Sequence, residues 1–219
     1  MGRSSSIDQI RKRIVKTYEL IGGSYHEASH TVYALLHLMK VNHTYIFENE
    51  ELGRVHGGTN YVDPMIFETV QDPELLHIMV KADVGMSYSG LIGEKMLFQS
   101  ISGSPKIPVF ISEGAHEDNN SARQVIKKYN LASPGQKRTI FKRKLMKQVR
   151  YELYHHWNDI MLIAHHLFKK HKLTFADLSK LLTKKSSNKA FWKDHFKHIQ
   201  RIHHGGITEE ELKTLLRAT

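Results

Sequence analysis

The chain of 219 residues contains no cysteine. Disulfide bonds and thiolate metal sites are therefore excluded, and any bound metal ion must be held by histidine and carboxylate side chains. A ligand set of that kind is typical of catalytic rather than structural zinc.

Long apolar runs are missing as well. No segment approaches the ~20 consecutive apolar residues of a membrane-spanning helix, and residues 1–6 lack the apolar stretch of a signal peptide. The glycine-rich patterns of P-loop and dinucleotide-binding proteins do not occur either. We therefore expect a soluble, cytoplasmic protein with no membrane span and no motor domain of its own.

Acidic residues are scarce in the last part of the chain. Residues 1–130 hold 13 Lys/Arg and 15 Asp/Glu, a net charge of −2, whereas residues 131–219 hold 19 and 7, a net charge of +12. Such asymmetry can indicate binding to nucleic acid, an acidic partner or a membrane surface, but a solvated lysine-rich helix face is the commoner explanation. We predict one domain over residues 1–219, with a metal-site core in 1–130 and a basic helical part in 131–219, and we do not favour nucleic acid binding.

Two histidines, His26 and His30, stand four residues apart in the segment His26-Glu27-Ala28-Ser29-His30. On a helix this spacing places both imidazoles on one face, where they can bind one Zn²⁺. Glu27, which follows the first histidine, can then act as general base on a water molecule at the metal. The pattern is typical of zinc hydrolases, most of which are peptidases.

The segment around these histidines has the pattern of an amphipathic helix. Apolar residues recur at helical spacing between Tyr25 and Met39, and His26 and His30 fall to one side of that stripe. This register predicts a helix that buries one face and turns its histidines toward a cleft, with Gly22-Gly23 interrupting the chain before it. A chain with 16 histidines can match the motif by chance, and the agreement with the helix register favours a true site.

Most other segments also have helical patterns, so we predict a mainly α fold with a small β-hairpin or sheet. The expected hairpin strands are 41–47 and 52–58. The expected helices are 7–20, one that opens at Asp72-Pro73, a small-residue segment that ends near Gly103, one that starts after Glu113, a long helix or helix pair over 140–170, and a shorter helix from about Thr174. In the 140–170 segment, the predicted core stripe consists of Trp157, Ile160, Met161, Ala164 and Leu167.

A third metal ligand is harder to locate. Metzincins place it six residues after the second histidine, but Leu36 stands there, so that class is excluded. Among the distant carboxylates, Glu94 can be an exposed helix residue or can orient a metal-binding histidine, and composition alone favours exposure. Glu117 and Asp118 have the character of ordinary residues at a helix start.

The adjacent pairs His155-His156 and His165-His166 point to different helix faces without a carboxylate at ligand spacing, and we expect them to be solvated or stacked.

Three blocks of the sequence, taken together and in order, resemble the peptidase domain of FtsH-type AAA+ zinc proteases. They are Tyr25-His26-Glu27-Ala28-Ser29-His30-Thr31-Val32, Gly90-Leu91-Ile92-Gly93-Glu94, and Gly114-Ala115-His116-Glu117-Asp118-Asn119-Asn120-Ser121-Ala122. A weaker likeness in the C-terminal helices extends the match over residues 20–182. Ser29 stands where the family usually has glycine and Gly93 where it has alanine, and the family's ATPase module and membrane anchor are absent from this sequence.

The resemblance implies specific roles. It implies a zinc peptidase in which Asp118, at the family's aspartate position, is the third ligand beside His26 and His30. We assign Glu94, in the neighbouring block, to orienting a metal-binding histidine. It also implies a polypeptide substrate that pairs with the strand near Leu52–His56, and it raises the possibility of a separate ATPase partner. The alternative is a non-catalytic zinc-binding module whose basic helices bind an ATPase, a nucleic acid or an acidic surface. Glu27 favours the enzyme, because a structural zinc site does not need a general base.

Overall fold

A computed structural model describes residues 3–49, 54–103, 114–132 and 138–218 of the protein. Within these ranges the chain forms eight α-helices, a single-turn 3-10 helix and one three-stranded antiparallel sheet, which confirms the predicted mainly helical fold. The helices are α1 (Arg3–Leu36), α2 (Pro73–Ser102), α3 (Gly114–Lys128), α4 (Arg138–His155), α5 (Trp157–Lys170), α6 (Phe175–Lys185), α7 (Lys189–His203) and α8 (Glu209–Ala218), and the strands are β1 (Lys40–Asn49), β2 (Arg54–Val62) and β3 (Lys172–Thr174). The 3-10 helix is Phe67–Thr69.

Helix α1 is the central element of the fold. It runs unbroken through Gly22 and Gly23, so the predicted interruption there is wrong. Each glycine costs a helix about 1 kcal/mol relative to alanine, but a Cβ on Gly23 would lie 3.3 Å from Val55 Cγ1, so the missing side chain lets β2 approach closely. The second half of α1 is buried on all sides, including His26, His30 and Tyr33, rather than on one stripe.

The sheet has the strand order β2-β1-β3, so β2 is an edge strand. The predicted hairpin is confirmed in β1 and β2, while Leu52 and Gly53 lie outside the described residues. Strand β3 was not predicted, because three residues are too short for a recognisable pattern. Its pairing with β1 joins the N-terminal and C-terminal parts of the chain.

The pairing of β1 with β2 and β3 shows which way the backbone N–H and C=O of Gly57 point. Ile46 in β1 donates its N–H to the carbonyl oxygen of His171, 2.8 Å away on the β3 side. Since successive residues of a strand direct their backbone groups to opposite sides, Ile46 bonds away from β2. Its partner Gly57 therefore turns its N–H and C=O to the outer edge of β2, where no strand among the described residues pairs with them.

Helix α2 begins and ends where the sequence predicts. The Asp72 carboxylate accepts hydrogen bonds from the backbone N–H groups of Glu74 and Leu75, Pro73 occupies the first turn, and Gly103 closes the helix in the left-handed conformation, with φ of 69°. Along its length α2 packs against α1, and α3 and α4 pack on α2. No described helix is long and apolar enough to cross a membrane.

The basic part of the chain is helical, as expected, and residues 140–170 form a helix pair, α4 and α5. In the predicted stripe Ile160, Ala164 and Leu167 are buried, but Met161 is 38% exposed, so its assignment to the core is wrong. The expectation that no carboxylate pairs with the adjacent histidines is also wrong for His156. Its Nδ1 lies 3.1 Å from Asp159 Oδ2, in a buried network whose other members are Ser186 and Trp192.

Candidate metal centre

Three side chains from two helices converge beside the C-terminal half of α1. The Nε2 atoms of His26 and His30 are 2.9 Å apart, and Asp118 Oδ2 lies 3.1 Å from the first and 3.3 Å from the second. Helix α1 supplies both histidines one turn apart, and the N-terminal part of α3 supplies the carboxylate. These are the three residues that the sequence analysis assigned to the metal, and no other such cluster of three His, Asp or Glu occurs within the described ranges.

The hydrogen-bond partners of the imidazoles fix where their protons lie. His30 Nδ1 is 2.8 Å from the carbonyl oxygen of Met86, which can only accept, so Nδ1 carries the proton. His26 Nδ1 is 2.5 Å from Glu94 Oε1 and donates to that carboxylate. In the neutral rings both Nε2 atoms are therefore acceptors. Together with Asp118 they form three lone-pair groups facing one another, an arrangement that either a metal ion or a proton between them would satisfy.

The dimensions of the cluster suit a zinc ion. Ligand atoms in tetrahedral zinc sites, at about 2.0–2.1 Å from the metal, lie roughly 3.3 Å from one another. The observed separations of 2.9–3.3 Å are close to that value. Gly90 of α2 leaves the necessary space, because a Cβ there would lie 2.4 Å from His26 Nε2 and 2.5 Å from His30 Nε2. The donor set and the space beside it both fit the ion.

The charges at the centre attract cations. Burial opposes ionisation of Asp118, but hydrogen bonds with His26 and His30 outweigh that effect and hold the pKa of the carboxyl group well below its usual range. Burial also disfavours the charged form of His26. Hydrogen bonds to Asp118 and Glu94, with the negative charges of Glu94 and Glu27, nevertheless raise the pKa of His26 well above its usual range. A proton therefore competes with a metal ion for this place.

Glu94 is 2% exposed, so the expectation of an exposed carboxylate is wrong. The close packing of α2 on α1 buries it, and burial raises the pKa of its carboxyl group despite the hydrogen bond with His26. A buried carboxylate is tolerated only with a partner, and His26 is that partner. Of the two roles left open by the sequence, the structure supports the one in which Glu94 orients His26 and holds its Nδ1 proton.

Glu27 is held between α1 and β2. Its Oε2 accepts a hydrogen bond of 2.8 Å from the Thr59 hydroxyl, and a Cβ on Gly57 would lie 2.8 Å from Glu27 Oε1. Thr59 in turn lies 3.1 Å from the Thr44 hydroxyl of β1. Gly57 makes room for the Glu27 carboxylate beside the candidate metal ligands, and Thr59, supported by Thr44, fixes the orientation of that carboxylate.

An open cleft of 590 Å³ connects these groups to solvent. It is lined by the three candidate ligands, by Glu27 and Glu94, by residues 57–59 of β2, and by residues of α2 and α3 that include Ser87 and Glu117. Glu117 is exposed and lies outside the cluster of three, as does His116. Gly57, whose N–H and C=O point to the outer edge of β2, therefore lies in the wall of the cleft together with Glu27.

Three residues important for this arrangement were not identified from the sequence. They are Gly57, Thr59, and Gly90 as the residue that approaches His26 and His30 closely. The motif around His26 gives no indication of which strand will pack beside it. The glycine pair at 57–58 is a usable signal, since glycine within a strand often marks a close approach of another group.

Comparisons with protein-family models, with curated proteins and with solved structures found no match to this chain. The likeness to FtsH-type peptidases therefore rests on the three sequence blocks. The structure brings the chemistry-bearing residues of these blocks, at positions 26, 27, 30, 94 and 118, to one cleft.

Proposed function

We propose that this protein is a zinc-dependent metallopeptidase that hydrolyses peptide bonds of unfolded or flexible polypeptides, with a fold similar to the FtsH-type peptidase domain. The observation that carries the proposal is the position of Glu27. An ionisable carboxylate lies in the same cleft as three convergent metal-ligand atoms, and Thr59 orients it. A site that only stored or bound zinc would not need this group.

His26, His30 and Asp118 would hold the zinc ion. When bound, zinc lowers the pKa of a coordinated water molecule and polarises a carbonyl group. Glu27 accepts the proton of the attacking water and later delivers it to the leaving amine. Glu94 and the Met86 carbonyl keep both Nδ1 protons in place, so that both Nε2 lone pairs would be free to hold the zinc ion.

The edge of β2 would bind the substrate. Gly57 turns its N–H and C=O outward beside Glu27, so an extended polypeptide can add to the sheet as a fourth strand. An unfolded or flexible chain can adopt the extended conformation freely, whereas most segments of a folded protein are already paired, which favours unfolded or flexible substrates. The proposal also includes a cytoplasmic location and, for folded substrates, a separate ATPase.

The test compares wild type with Glu27→Gln on an unstructured casein-like chain and on a stable folded domain, with and without ATP, while zinc content is measured in parallel. We expect wild type to cut the unstructured chain and spare the folded one, since the sequence contains no nucleotide-binding motif that could couple ATP hydrolysis to unfolding. Glu27→Gln should retain zinc and lose at least ~100-fold in rate, because it cannot accept a proton. Glu117→Gln, at an exposed carboxylate of the same cleft, is the matched control and should remain active.

Three results would contradict the proposal. Equal cleavage by Glu27→Gln and wild type would rule out Glu27 as the base. Zinc binding without cleavage of any unstructured chain would favour a non-catalytic zinc module. ATP-dependent digestion of the folded domain by this chain alone would show that it contains a motor.

A further inference from the structure

The outer face of the three-stranded sheet carries a row of four aromatic rings. His43, Tyr45 and Phe47 alternate along β1, with ring centres 5.7 Å apart between the first two and 6.0 Å apart between the last two. The row continues onto β2, where the ring centre of His56 lies 5.8 Å from that of Phe47. The planes of neighbouring rings are inclined to one another by no more than 31°. The four rings therefore form one continuous surface, which we call the aromatic row.

The aromatic row points away from the core. Thr44, which lies between two of its members in β1, is buried and is linked through Thr59 to Glu27 of α1. Successive side chains of a strand project to opposite faces, so the aromatic row lies on the face turned away from α1. Phe47 is 46% exposed, and His56 is exposed as well. Single exposed rings are ordinary on a protein surface, whereas contiguous exposed rings indicate an interaction site.

The charge of this face is positive. In the antiparallel pairing, Lys172 of β3 lies opposite Tyr45, and Arg54 of β2 lies opposite Asn49. Residues directly opposite one another project to the same face, so both of these exposed basic side chains lie on the face of the aromatic row. Among the outward residues of 43–49 and the described β2 and β3 residues paired with them, none is acidic. The strands therefore place no carboxylate on this face that would repel an anion.

We propose that the outer face of the sheet binds single-stranded nucleic acid. Unpaired bases stack on aromatic side chains, and basic side chains beside those rings contact the phosphates. The exposed rings of Phe47 and His56 supply the stacking surface, and Lys172 and Arg54 supply the charge. In a duplex the bases already stack on one another, so double-stranded nucleic acid would not use the rings. A neutral carbohydrate also stacks on aromatic rings but gains nothing from the charge, so the basic residues favour nucleic acid.

A pair of amide side chains lies on the same face. Asn42 Nδ2 donates a hydrogen bond of 2.8 Å to Asn60 Oδ1, and both residues are exposed. Each amide group offers donors and an acceptor, so the pair retains capacity for hydrogen bonds to the edge of a base. Charge alone did not favour nucleic acid in the sequence, and the aromatic row with its polar neighbours is the feature that changes this interpretation.

The proposed surface adjoins the metal cleft but does not depend on it. Arg54 and His56 line the cleft as well, whereas Tyr45, Phe47 and Lys172 are not among the residues that line it. Variants at Phe47 and Lys172 therefore test nucleic acid binding without changing the candidate metal ligands or Glu27. The net charge of +10 adds long-range attraction for a polyanion.

The experiment measures the binding of fluorescent single strands of about 12 nucleotides to the full chain by fluorescence anisotropy, with oligo-dT and oligo-rU as the two probes. The competitors, at matched ionic strength, are a duplex of equal length, base-free polyphosphate and a neutral maltooligosaccharide. We expect each competitor to displace the probe at least about tenfold less effectively than the same unlabelled single strand does, because only unpaired bases stack on the rings. Binding of either strand supports the proposal, and the tighter of the two identifies the sugar that the face prefers.

Variants of Phe47 test the stacking. Phe47→Ala removes an exposed ring and should weaken binding about fivefold or more, because one base loses its stacking partner. Phe47→Trp keeps a ring at that position and should retain the wild-type affinity. Tyr154→Ala, which removes a 71% exposed ring from α4, is the matched control and should leave binding unchanged. Circular dichroism melts of the three variants should match wild type, since each change is made at an exposed side chain.

A lysine variant tests the phosphate contacts. Lys172→Gln should weaken binding and reduce the slope of log affinity against log salt by roughly 0.7, because one phosphate contact is lost. Lys147→Gln removes an equal charge from an exposed position of α4 and should change neither quantity. Four results would overturn the proposal: binding of neither strand, equally effective competition by the duplex or polyphosphate, binding of the oligosaccharide alone, or equal affinities of Phe47→Ala and Tyr154→Ala.

Discussion

The Ser29 hydroxyl oxygen lies 1.8 Å from the point where a Cβ on Gly93 would be. Ser29 is fully buried and donates a hydrogen bond of 2.7 Å to the carbonyl oxygen of Tyr25 in the preceding turn of α1. The FtsH-type pattern has glycine and alanine at these two positions. The side-chain volumes at positions 29 and 93 therefore complement each other across the contact between α1 and α2.

Gly93→Ala should lower the free energy of unfolding by about 1–3 kcal/mol, because the added methyl group overpacks the contact with Ser29. Adding Ser29→Gly should recover most of that loss, so that the double variant is more stable than the sum of the single effects predicts. Urea unfolding of the four proteins measures the coupling.

Ser29→Ala is the matched control for this cycle. The Cβ of residue 29 would still lie 2.6 Å from a Cβ at position 93, so Ser29→Ala should rescue Gly93→Ala much less than Ser29→Gly does. Strictly additive effects in both double variants would show that the two positions are not coupled.

Gly90→Ala should remove zinc binding while the protein stays folded. Its Cβ would lie within 2.5 Å of both histidine Nε2 atoms, whereas alanine in place of glycine favours the helix itself by about 1 kcal/mol. Metal analysis and far-ultraviolet circular dichroism measure the two effects. Gly23→Ala, the same change in α1 at a more tolerant contact of 3.3 Å, should retain zinc. Full zinc occupancy in Gly90→Ala would exclude a metal between His26 and His30.

Asp118→Ala should reduce zinc affinity by at least ~100-fold, because a tetrahedral site loses one of its three protein ligands. Glu117→Ala is the matched control. It removes the neighbouring carboxylate, which is exposed and is not one of the three candidate metal ligands. Competition with a chromogenic chelator gives both dissociation constants. Equal losses in the two variants would mean that general negative charge, rather than coordination by Asp118, attracts the metal.

Local signals in the sequence were sufficient for several parts of the fold. The histidine spacing, the Asp72 cap of α2 and the Thr174 start of α6 each depend on side chains within a few residues of one another, and the structure contains all three. Thr174 forms a capping box with Asp177, a signature that is local by nature. The hairpin of β1 and β2 follows for the same reason.

Features that depend on distant packing could not be predicted. Glu94 is surrounded by small and apolar neighbours in sequence, and only its contact with His26, 68 residues away, explains why a carboxylate is buried there. Gly22 and Gly23 are helix breakers by propensity, and the packing of β2 overrides that preference. The pairing of His156 with Asp159 becomes structural only because Ser186 and Trp192 complete the network.

His195 of α7 connects the basic C-terminal part to the end of α1. Its Nε2 donates a hydrogen bond of 2.6 Å to the carbonyl oxygen of Leu35, in the last turn of α1, where helical carbonyls lack partners within the helix. Burial lowers the pKa of the imidazole from 6.5 to about 4, against the opposing effect of that hydrogen bond. The native protein therefore keeps His195 neutral at a pH where the unfolded chain protonates it.

This difference predicts a loss of stability in acid. Above about pH 6.5 the residue is neutral in both states and has no differential effect. As the pH falls from 6.5 to 4, the unfolded chain binds a proton that the native protein does not, so the free energy of unfolding decreases by up to about 3 kcal/mol through this group.

His195→Gln keeps an N–H donor for Leu35 but cannot titrate. Urea unfolding at pH 7.5 and pH 4.5 should therefore show a smaller acid-dependent loss in His195→Gln than in wild type, because all other titrating groups cancel in the comparison. Identical losses in the two proteins would show that His195 is accessible to protons in the native state.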